Sequence, residues 1–396
     1  MAATYFINGK RMLSSDAGFE NELTIAYGSK KRPFCCCMNP SIEMYISKRH
    51  EKLILNRMPN TGGYHHPECE SYEMPAELSG LGQVAGSAIK ENVEDGTVTL
   101  KLDFALSKGA SRSAPVASGL EQDSVTTDGK KLTLRSMLHY LWEQASFNKW
   151  YPTMDGKRSW FVIRKYLLEA AKNKIAKGGS LDGYLYIPES FVLDKKDEIT
   201  KRRIEAMRHL SSSVKGAQPL MIIVGEVKDF DKTRFDHKIV IKHLPNFDIV
   251  LNADIHKRLF KRFADELTLW NAHEDSHLMF IGTFGIDSAG VASFVEVALM
   301  MVDKNWLPYE NVNEYNLVTK LVESKHSFIK SLRYNLPSTK PLSSALDTTK
   351  GDKTALYVIN GNATDEFRTE LDELLAESEV KSWVWDASAG DMPALP

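Results

Sequence analysis

The chain has 396 residues, of which 43% are hydrophobic and 26% charged, as in an ordinary soluble globular protein with several hydrophobic cores. Fifty basic residues against fifty-two acidic ones leave a net charge of −2, which excludes a uniformly basic nucleic-acid coat and a wholly acidic disordered tail. All four cysteines lie between Cys35 and Cys69, whereas a secreted protein of this size would spread its cysteines along the chain as cross-links.

We expect a cytoplasmic protein with no membrane partner. The first residues contain no apolar segment of the kind that a signal peptide requires. The most apolar stretch, residues 290–302, is interrupted by Glu296 and is too short to span a bilayer.

The N-terminal half predicts a β-rich module, a linker and a helical segment, in that order. Residues 44–47 and 53–58 have alternating or β-rich sequences, and a cluster of Pro, Asn and Gly at 59–63 predicts a turn. Residues 106–130 contain too few large apolar side chains to bury a core, so we interpret them as a linker. Apolar residues at helical spacing then predict two helices before a strand at 183–191, an order compatible with a winged helix.

The C-terminal half predicts two α/β domains. In the first, a buried strand at 220–224 precedes a helix capped by Asn252 and strands at 277–285 and 291–302. The second has the order helix, three strands, helix and strand, with Thr364 capping its second helix. The predicted fold class is therefore α/β (α+β) and multidomain, with the following parts: a zinc-stabilised β-rich module at 1–105, a linker at 106–130, a basic helical segment at 131–215, an α/β domain at 216–305, and an α/β domain at 306–396.

The cysteines belong to the most specific motif of the sequence. Cys35-Cys36-Cys37 is followed, about thirty residues later, by His65-His66-Pro67-Glu68-Cys69. A structural zinc ion needs four nitrogen or sulfur ligands at the corners of a tetrahedron, and two close pairs on two turns can supply them. Cys-x-Cys and His-x-x-Cys both fit around one ion, which predicts a closed Zn²⁺ site that orders a small domain. The predicted ligands are Cys35, Cys37, His66 and Cys69, with Cys36 and His65 as substitutes; the alternative is a set of reduced thiols without metal.

Residues 130–177 form a basic segment with eleven Lys or Arg against three acidic residues, a surplus of eight. Aromatic residues are interleaved with these charges. Lysine and arginine neutralise phosphates and exposed aromatic rings stack on unpaired bases, so the combination is typical of a nucleic-acid surface. The alternative is a solvated helix face with its aromatic side chains in the core. The predicted nucleic-acid contacts are Lys157, Arg158, Trp160, Arg164, Lys165 and Lys172.

Two polar motifs are weaker candidates for chemistry. Glu226 and Lys228 end the predicted strand at 220–224 as Glu-x-Lys, the pattern with which metal-dependent nucleases hold Mg²⁺ and an attacking water, but no partner aspartate is evident. Residues 273–277 contain His273, Glu274, Asp275 and His277, for which a solvated helix end is the simpler interpretation than a metal site. We find no phosphate-binding glycine loop and no nucleophile motif of a serine hydrolase.

The element order at 306–396 looks like the core of restriction-endonuclease-like proteins. That resemblance would place Glu314 on the first helix and Asp347 at the end of the second strand. The third strand should then carry Glu-x-Lys, but the sequence has Tyr357-Val358-Ile359. Without that carboxylate and lysine a Mg²⁺ ion loses a ligand, so the resemblance implies a nuclease-like domain that lacks its active site.

Longer stretches resemble a bacterial family of unknown function, numbered eleven seventy-three among the domains of unknown function. They are FCCCMNPSIEMYISKRHEKLILNRMPNTGGYHHPECESYE, WLPYENVNEYNLVTKLV, FIKSLRYNLP and SWVWDASAGDMPALP, which cover nearly the whole chain. The cysteines of the family correspond to Cys35, Cys37 and Cys69. The family is often carried on conjugative plasmids and integrating elements, which implies work on DNA, but it has no established activity to carry over.

Together these features predict a non-catalytic, DNA-binding accessory protein of a mobile genetic element, active in plasmid transfer, maintenance or defence. The DNA could be single- or double-stranded on this reasoning. One alternative is a Mg²⁺-dependent nuclease that uses Glu226 and Lys228. Another is a scaffold that binds only other proteins of a multiprotein machine.

Overall fold

An antiparallel sheet with one helix against it forms the N-terminal part. The computed structural model describes residues 3–49, 52–109, 129–211, 217–233, 236–349 and 353–396. The elements of this part are β1 (Thr4–Ile7), β2 (Lys10–Leu13), α1 (Phe19–Gly28), β3 (Phe34–Cys35), β4 (Ile42–Arg49) and β5 (Lys52–Arg57). The strands pair in the order β2-β1-β3-β4-β5, and Ile7, Leu23 and Met44 form a small core between sheet and helix.

The middle of the chain is largely helical and carries several short strands. Its elements are α2 (Leu81–Val84), β6 (Ile89–Glu91), β7 (Val98–Leu100), β8 (Ser107–Lys108), α3 (Leu134–Gln144), β9 (Lys149–Trp150), α4 (Trp160–Ala171), β10 (Lys174–Ala176), β11 (Gly179–Ser180), β12 (Leu185–Tyr186) and α5 (Lys196–Met207). A second sheet has the order β11-β10-β7-β6, so the strands after α4 extend a sheet that begins before the predicted linker. Residues 110–128 of that linker lie outside the described residues.

Residues 221–302 form a closed barrel. The elements of this region are β13 (Gln218–Pro219), β14 (Met221–Lys232), β15 (His237–Ile241), β16 (Val250–Leu251), α6 (Ala253–Arg262), α7 (Ala264–Ala272), β17 (His277–Ile286), β18 (Ala292–Val302) and β19 (Pro308–Tyr309). The ring runs β14-β15-β16-β18-β17 and back to β14, with only the β16–β18 pair parallel. If the five strands are numbered along the chain, the order is 1-2-3-5-4-1 with helices between the third and fourth, which is the topology of the OB-fold.

Local sequence explains much of the barrel. The Asn252 side chain accepts a hydrogen bond from the Ile255 backbone N–H at 2.8 Å, which confirms the predicted cap of α6. Gly282 on β17 leaves room for a neighbouring ring, because a Cβ there would lie 2.8 Å from Phe294. The closure itself was not predicted, because an apolar pattern shows which face of a strand is buried and not which strand lies beside it.

The C-terminal part is a mixed sheet between two helices. Its elements are α8 (Val312–Glu323), β20 (Phe328–Lys330), β21 (Ala345–Asp347), β22 (Thr354–Ile359), α9 (Asp365–Glu377) and β23 (Lys381–Asp386). The strand order is β23-β22-β21-β20-β9, with β22 and β23 parallel and the other pairs antiparallel. The Thr364 hydroxyl accepts from the Phe367 N–H, so this predicted cap is also confirmed.

Strand pairs link all parts of the chain. β9 from the helical segment completes the C-terminal sheet, β12 extends β14, and β8 pairs with β13. Tyr72, Met74 and Leu78 of the N-terminal part lie in one core with β20, β22 and α9. The mixed architecture of helices and several sheets confirms the predicted fold class.

The helices in the described ranges all lack the combination of length and apolar character that crossing a membrane requires.

Candidate functional site

Two turns bring the cysteine motif together in space. Cys35 ends β3, where it pairs with Tyr5 of β1 and Ile42 of β4 and is almost fully buried. The second turn follows β5, where the His65 N–H donates to the Gly62 carbonyl and the Cys69 N–H donates to the His66 carbonyl. The sheet therefore positions Cys35, and the compact turn at residues 62–69 positions His65 and Cys69.

The cluster has the dimensions of a tetrahedral metal site. The ligand atoms of Cys35, Cys37, His65 and Cys69 all lie within 4.8 Å of one another. The Cys35 and Cys69 sulfurs are 3.8 Å apart, and His65 Nδ1 lies 3.3 Å from the Cys37 sulfur and 3.6 Å from the Cys69 sulfur. Ideal zinc–ligand bonds predict edges of about 3.8 Å between two sulfurs and about 3.5 Å between sulfur and nitrogen. The four residues therefore fit a divalent ion of the size of zinc.

The electrostatics of the cluster also favour a cation. The hydrogen bond with Cys69 and burial raise the pKa of the Cys35 thiol, and burial raises that of Cys37. The hydrogen bond from Cys35 lowers the pKa of Cys69 to about 3, so one thiolate is stabilised at the expense of its neighbours. The His65 ring is buried, and its Nδ1 faces the Cys37 and Cys69 sulfurs. The charge of a metal ion bound between them would favour the thiolate form of all three sulfurs.

The structure corrects one of the predicted ligands. His65 contributes to the cluster, and His66, which the sequence favoured, does not. The His66 side chain turns away, and its Nδ1 accepts a hydrogen bond from the Glu68 N–H at 3.3 Å. Adjacent residues at the end of a tight turn point in different directions, and His-x-x-Cys and His-x-x-x-Cys spacings fit a metal equally well, so the sequence alone could not separate them.

The predicted nucleic-acid contacts divide into exposed and structural residues. Lys157, Lys165 and Lys172 are exposed to solvent. Arg158 instead donates hydrogen bonds to the Phe147 and Asn305 carbonyls, each at 3.0 Å, and burial lowers its pKa to about 10. Its guanidinium is thus occupied by the backbone and is not available to a ligand.

The two other predicted contacts are also tied into the fold. Trp160 is buried, and its indole N–H donates to the Pro188 carbonyl at 2.9 Å, so this ring cannot stack on a base. Arg164 is half-buried, and its Nε donates to the Ile187 carbonyl at 3.0 Å. Both corrections arise because Trp160 and Arg164 share the face of α4 that packs against residues 187–188.

Sequence reasoning missed the aromatic residues that α4 does expose. Phe161 is 67% exposed and Tyr166 is 46% exposed, and neither is among the predicted contacts. The Lys165 ammonium lies 5.4 Å from the centre of the Tyr166 ring. Lys165 was the available signal for Phe161, because residues four apart share one side of a helix.

Comparison with known families identifies the family of the chain but gives no reaction. The model described as "Protein of unknown function (DUF1173)" matches residues 5–388. The chain belongs to the DUF1173 family. No curated protein matches it, and no solved structure does.

In this DUF1173 member, Glu226 has a different environment from that of a nuclease carboxylate. It is 3% exposed and accepts a hydrogen bond from His277 Nδ1 at 2.7 Å, with the Lys242 ammonium on the same oxygen. Burial alone would raise the pKa of Glu226, but these two donors hold it below its usual value. Lys228 is exposed, and the described residues bring no second carboxylate to Glu226 in a metal-binding group.

The four polar residues at 273–277 diverge. The His273 ring stacks on Tyr315 with 4.1 Å between ring centres, while His277 stacks on Trp306 and pairs with Glu226. Glu274 and Asp275 face solvent. The solvated helix end is therefore the better description of this motif.

The two acidic residues that the sequence singled out in the C-terminal part, Glu314 and Asp347, each have a partner within the fold. The Glu314 carboxylate lies 3.1 Å from the buried Lys330 ammonium, and Asp347 accepts from His326 Nδ1 at 2.7 Å. Tyr357 is buried in the core of the C-terminal sheet. Glu314 is thus the partner of a buried lysine, and Asp347 is the partner of a histidine.

Proposed function

We propose that this DUF1173 protein is a non-catalytic nucleic-acid-binding accessory protein of a mobile genetic element, acting on DNA in the cytoplasm. A structural zinc ion held by Cys35, Cys37, His65 and Cys69 would order its N-terminal module. Other proteins of a transfer, maintenance or defence system would be its further partners. The family name states no activity, so the proposal depends on the side chains themselves.

One observation carries the proposal, the exposed face of α4. Lys165 on the helix, Lys157 just before it and Lys172 just after it, together called the α4 lysines, have solvent-facing side chains, and Phe161 and Tyr166 lie among them. The single acidic side chain here, Glu169, pairs with Lys172 at 3.2 Å. Ammonium groups that release counterions from phosphates, together with aromatic rings that stack on bases, provide both parts of nucleic-acid affinity.

Two features of the fold support the same function. The barrel has the topology of the OB-fold, a fold often used to bind oligonucleotides, although a fold alone does not determine function. The C-terminal part resembles a nuclease core whose third strand has Tyr357 and Ile359 in place of the acidic and basic pair. Such a domain suits binding or assembly better than cleavage.

The lysines of α4 provide the test. We expect the triple variant K157Q/K165Q/K172Q to bind a DNA duplex more weakly and with a less steep salt dependence. Each lost phosphate contact changes the slope of log K against log salt by about 0.9, so the slope should fall by about 2 to 3. Fluorescence anisotropy over a salt series measures both quantities.

Three exposed lysines of another helical region make a matched control. K195Q/K196Q/K201Q removes the same charge from and just before α5, where the lysines are equally exposed. This variant should keep the wild-type slope. Absence of DNA binding by the wild type at low salt, or equal losses in both triple variants, would contradict the proposed role of α4.

A further inference from the structure

Phe161 and its neighbours on α4 bear on whether single-stranded or double-stranded nucleic acid is the better ligand. Phe161 lies in the first turn of the helix, with Lys157 four residues before it and Lys165 four residues after it. Lys165 lies one helical turn from Phe161 on the same side of α4, whereas Lys157 belongs to the non-helical segment just before the helix. An exposed ring beside an ammonium group can stack on one base while the lysine contacts a neighbouring phosphate.

Exposed aromatic rings contribute little to the binding of a duplex. Its bases already stack on one another, so a helix on its surface meets phosphates and groove edges and no free base face. A single strand offers the face of every base, and this stacking is tolerant of sequence. The 67% exposure of Phe161 and the 46% exposure of Tyr166 therefore favour an unpaired ligand over a paired one.

The barrel adjoins α4 on the buried side of the helix. There Trp160, the first residue of α4, stacks on His243 in the loop after β15 with 5.6 Å between ring centres. The alternating burial of β15 turns Ile239 and Ile241 into the barrel and leaves Lys238 on its outer side, and the Lys242 side chain after the strand is 41% exposed. β15 is the second strand of the ring, and the face of the second and third strands is where OB-folds receive oligonucleotides.

We propose that the ligand is single-stranded DNA, with bases on Phe161 and Tyr166 and the backbone continuing from the α4 lysines onto the outer face of β15. This inference rests on the proposed nucleic-acid function and names its substrate class. The paired cations on the barrel, Lys238 with Asp248 and Lys242 with Glu226, make that end the weaker contact. The aromatic residues of α4 are then the main source of discrimination between single strand and duplex.

The experiment compares one labelled oligonucleotide as a single strand and as a blunt duplex of the same sequence. We expect the full-length protein to bind the single strand at least tenfold more tightly at moderate salt. The F161A/Y166A variant should lose about tenfold in single-strand affinity for each ring removed, while its salt slope and its duplex affinity stay unchanged. F161A alone is the second variant, since Tyr166 also contacts Phe147 and its loss could disturb packing.

The control removes exposed apolar side chains elsewhere. V192A/L193A deletes two residues that are 46% and 73% exposed just before α5, and it should bind like the wild type. Equal affinity for single strand and duplex, or an F161A variant with unchanged single-strand affinity, would overturn the inference and leave nucleic-acid binding intact. No binding of either ligand at low salt would overturn the proposed function as well.

Discussion

Glu143 on α3 is a half-buried carboxyl group whose ionisation opposes folding. Its side chain accepts a hydrogen bond from the Tyr334 hydroxyl, between α3 and the loop after β20. Burial raises the pKa of Glu143 from its ordinary value of 4.5 to about 7, despite that hydrogen bond and the nearby Lys149. Between these two pKa values the folded chain keeps a proton that the unfolded chain has lost, so stability falls as the pH rises through this range.

We therefore expect E143Q to be more stable than the wild type at alkaline pH. A glutamine is neutral at every pH and can still accept from Tyr334. The difference in unfolding free energy between E143Q and the wild type should increase by about 2 kcal/mol between pH 5.5 and pH 8. Denaturant unfolding at both pH values measures it, and E94Q, at an exposed position, is the control. A gap that does not change with pH would show that Glu143 is ionised throughout.

Helix caps stabilise single elements of the fold, and Thr364 of α9 is an example. The Thr364 hydroxyl satisfies the Phe367 N–H at the start of α9, a helix that packs its Leu371 against the C-terminal sheet. Removal of a threonine cap exposes an unpaired backbone donor. Loss of the cap should also destabilise the C-terminal sheet, because α9 covers one of the faces of that sheet.

T364A should accordingly destabilise the C-terminal part by about 1 kcal/mol, and T364S should restore most of the loss. Thermal unfolding followed by circular dichroism measures the shift. T369A, within the same helix, is the control and should leave the midpoint unchanged or raise it slightly, since alanine is the better helix former. Equal midpoints for T364A and the wild type would contradict the capping role.

The caps and most elements were predictable because their signals are local. Asn252 and Thr364 stand directly before apolar residues at helical spacing, and the predicted order of helix, three strands, helix and strand is the order of α8, β20 to β22, α9 and β23. The members of the cysteine cluster were predictable except for the choice between His65 and His66, which depends on the direction of one turn. The buried and exposed faces of α4 were harder to predict, because Trp160 and Phe161 are adjacent aromatic residues and only tertiary packing decides which of them is buried.

At the scale of the whole molecule, the cysteine cluster joins the two ends of the chain. Cys69 contacts both the N-terminal core and the core of the C-terminal sheet. The residues that follow it continue into that second core, where the Lys149 ammonium donates to the Tyr72 carbonyl and Lys353 lies over the Tyr72 ring. A metal at the cluster would therefore hold residues 62–78 against the C-terminal sheet.

Removal of the metal should loosen parts of the protein that are distant in sequence. We expect chelation, or the substitution C69S, to raise amide hydrogen exchange in β22 and α9 as well as in β3 and β4. Zinc content by elemental analysis should fall from about one ion per chain to none in C69S and remain unchanged in C36S, whose sulfur lies outside the cluster. Faster exchange confined to the N-terminal sheet would contradict the link, and a wild type without metal would contradict the zinc site.

The pairing of β9 with β20 has a consequence for synthesis and for the design of fragments. Lys149 pairs with Ile329, 180 residues later, so the edge of the C-terminal sheet is translated long before its partner exists. Until then Trp150, almost fully buried in the finished protein, has no sheet to cover it. A fragment that stops before β20, or one that begins after β9, would expose apolar surface and lose solubility, however carefully its ends were chosen.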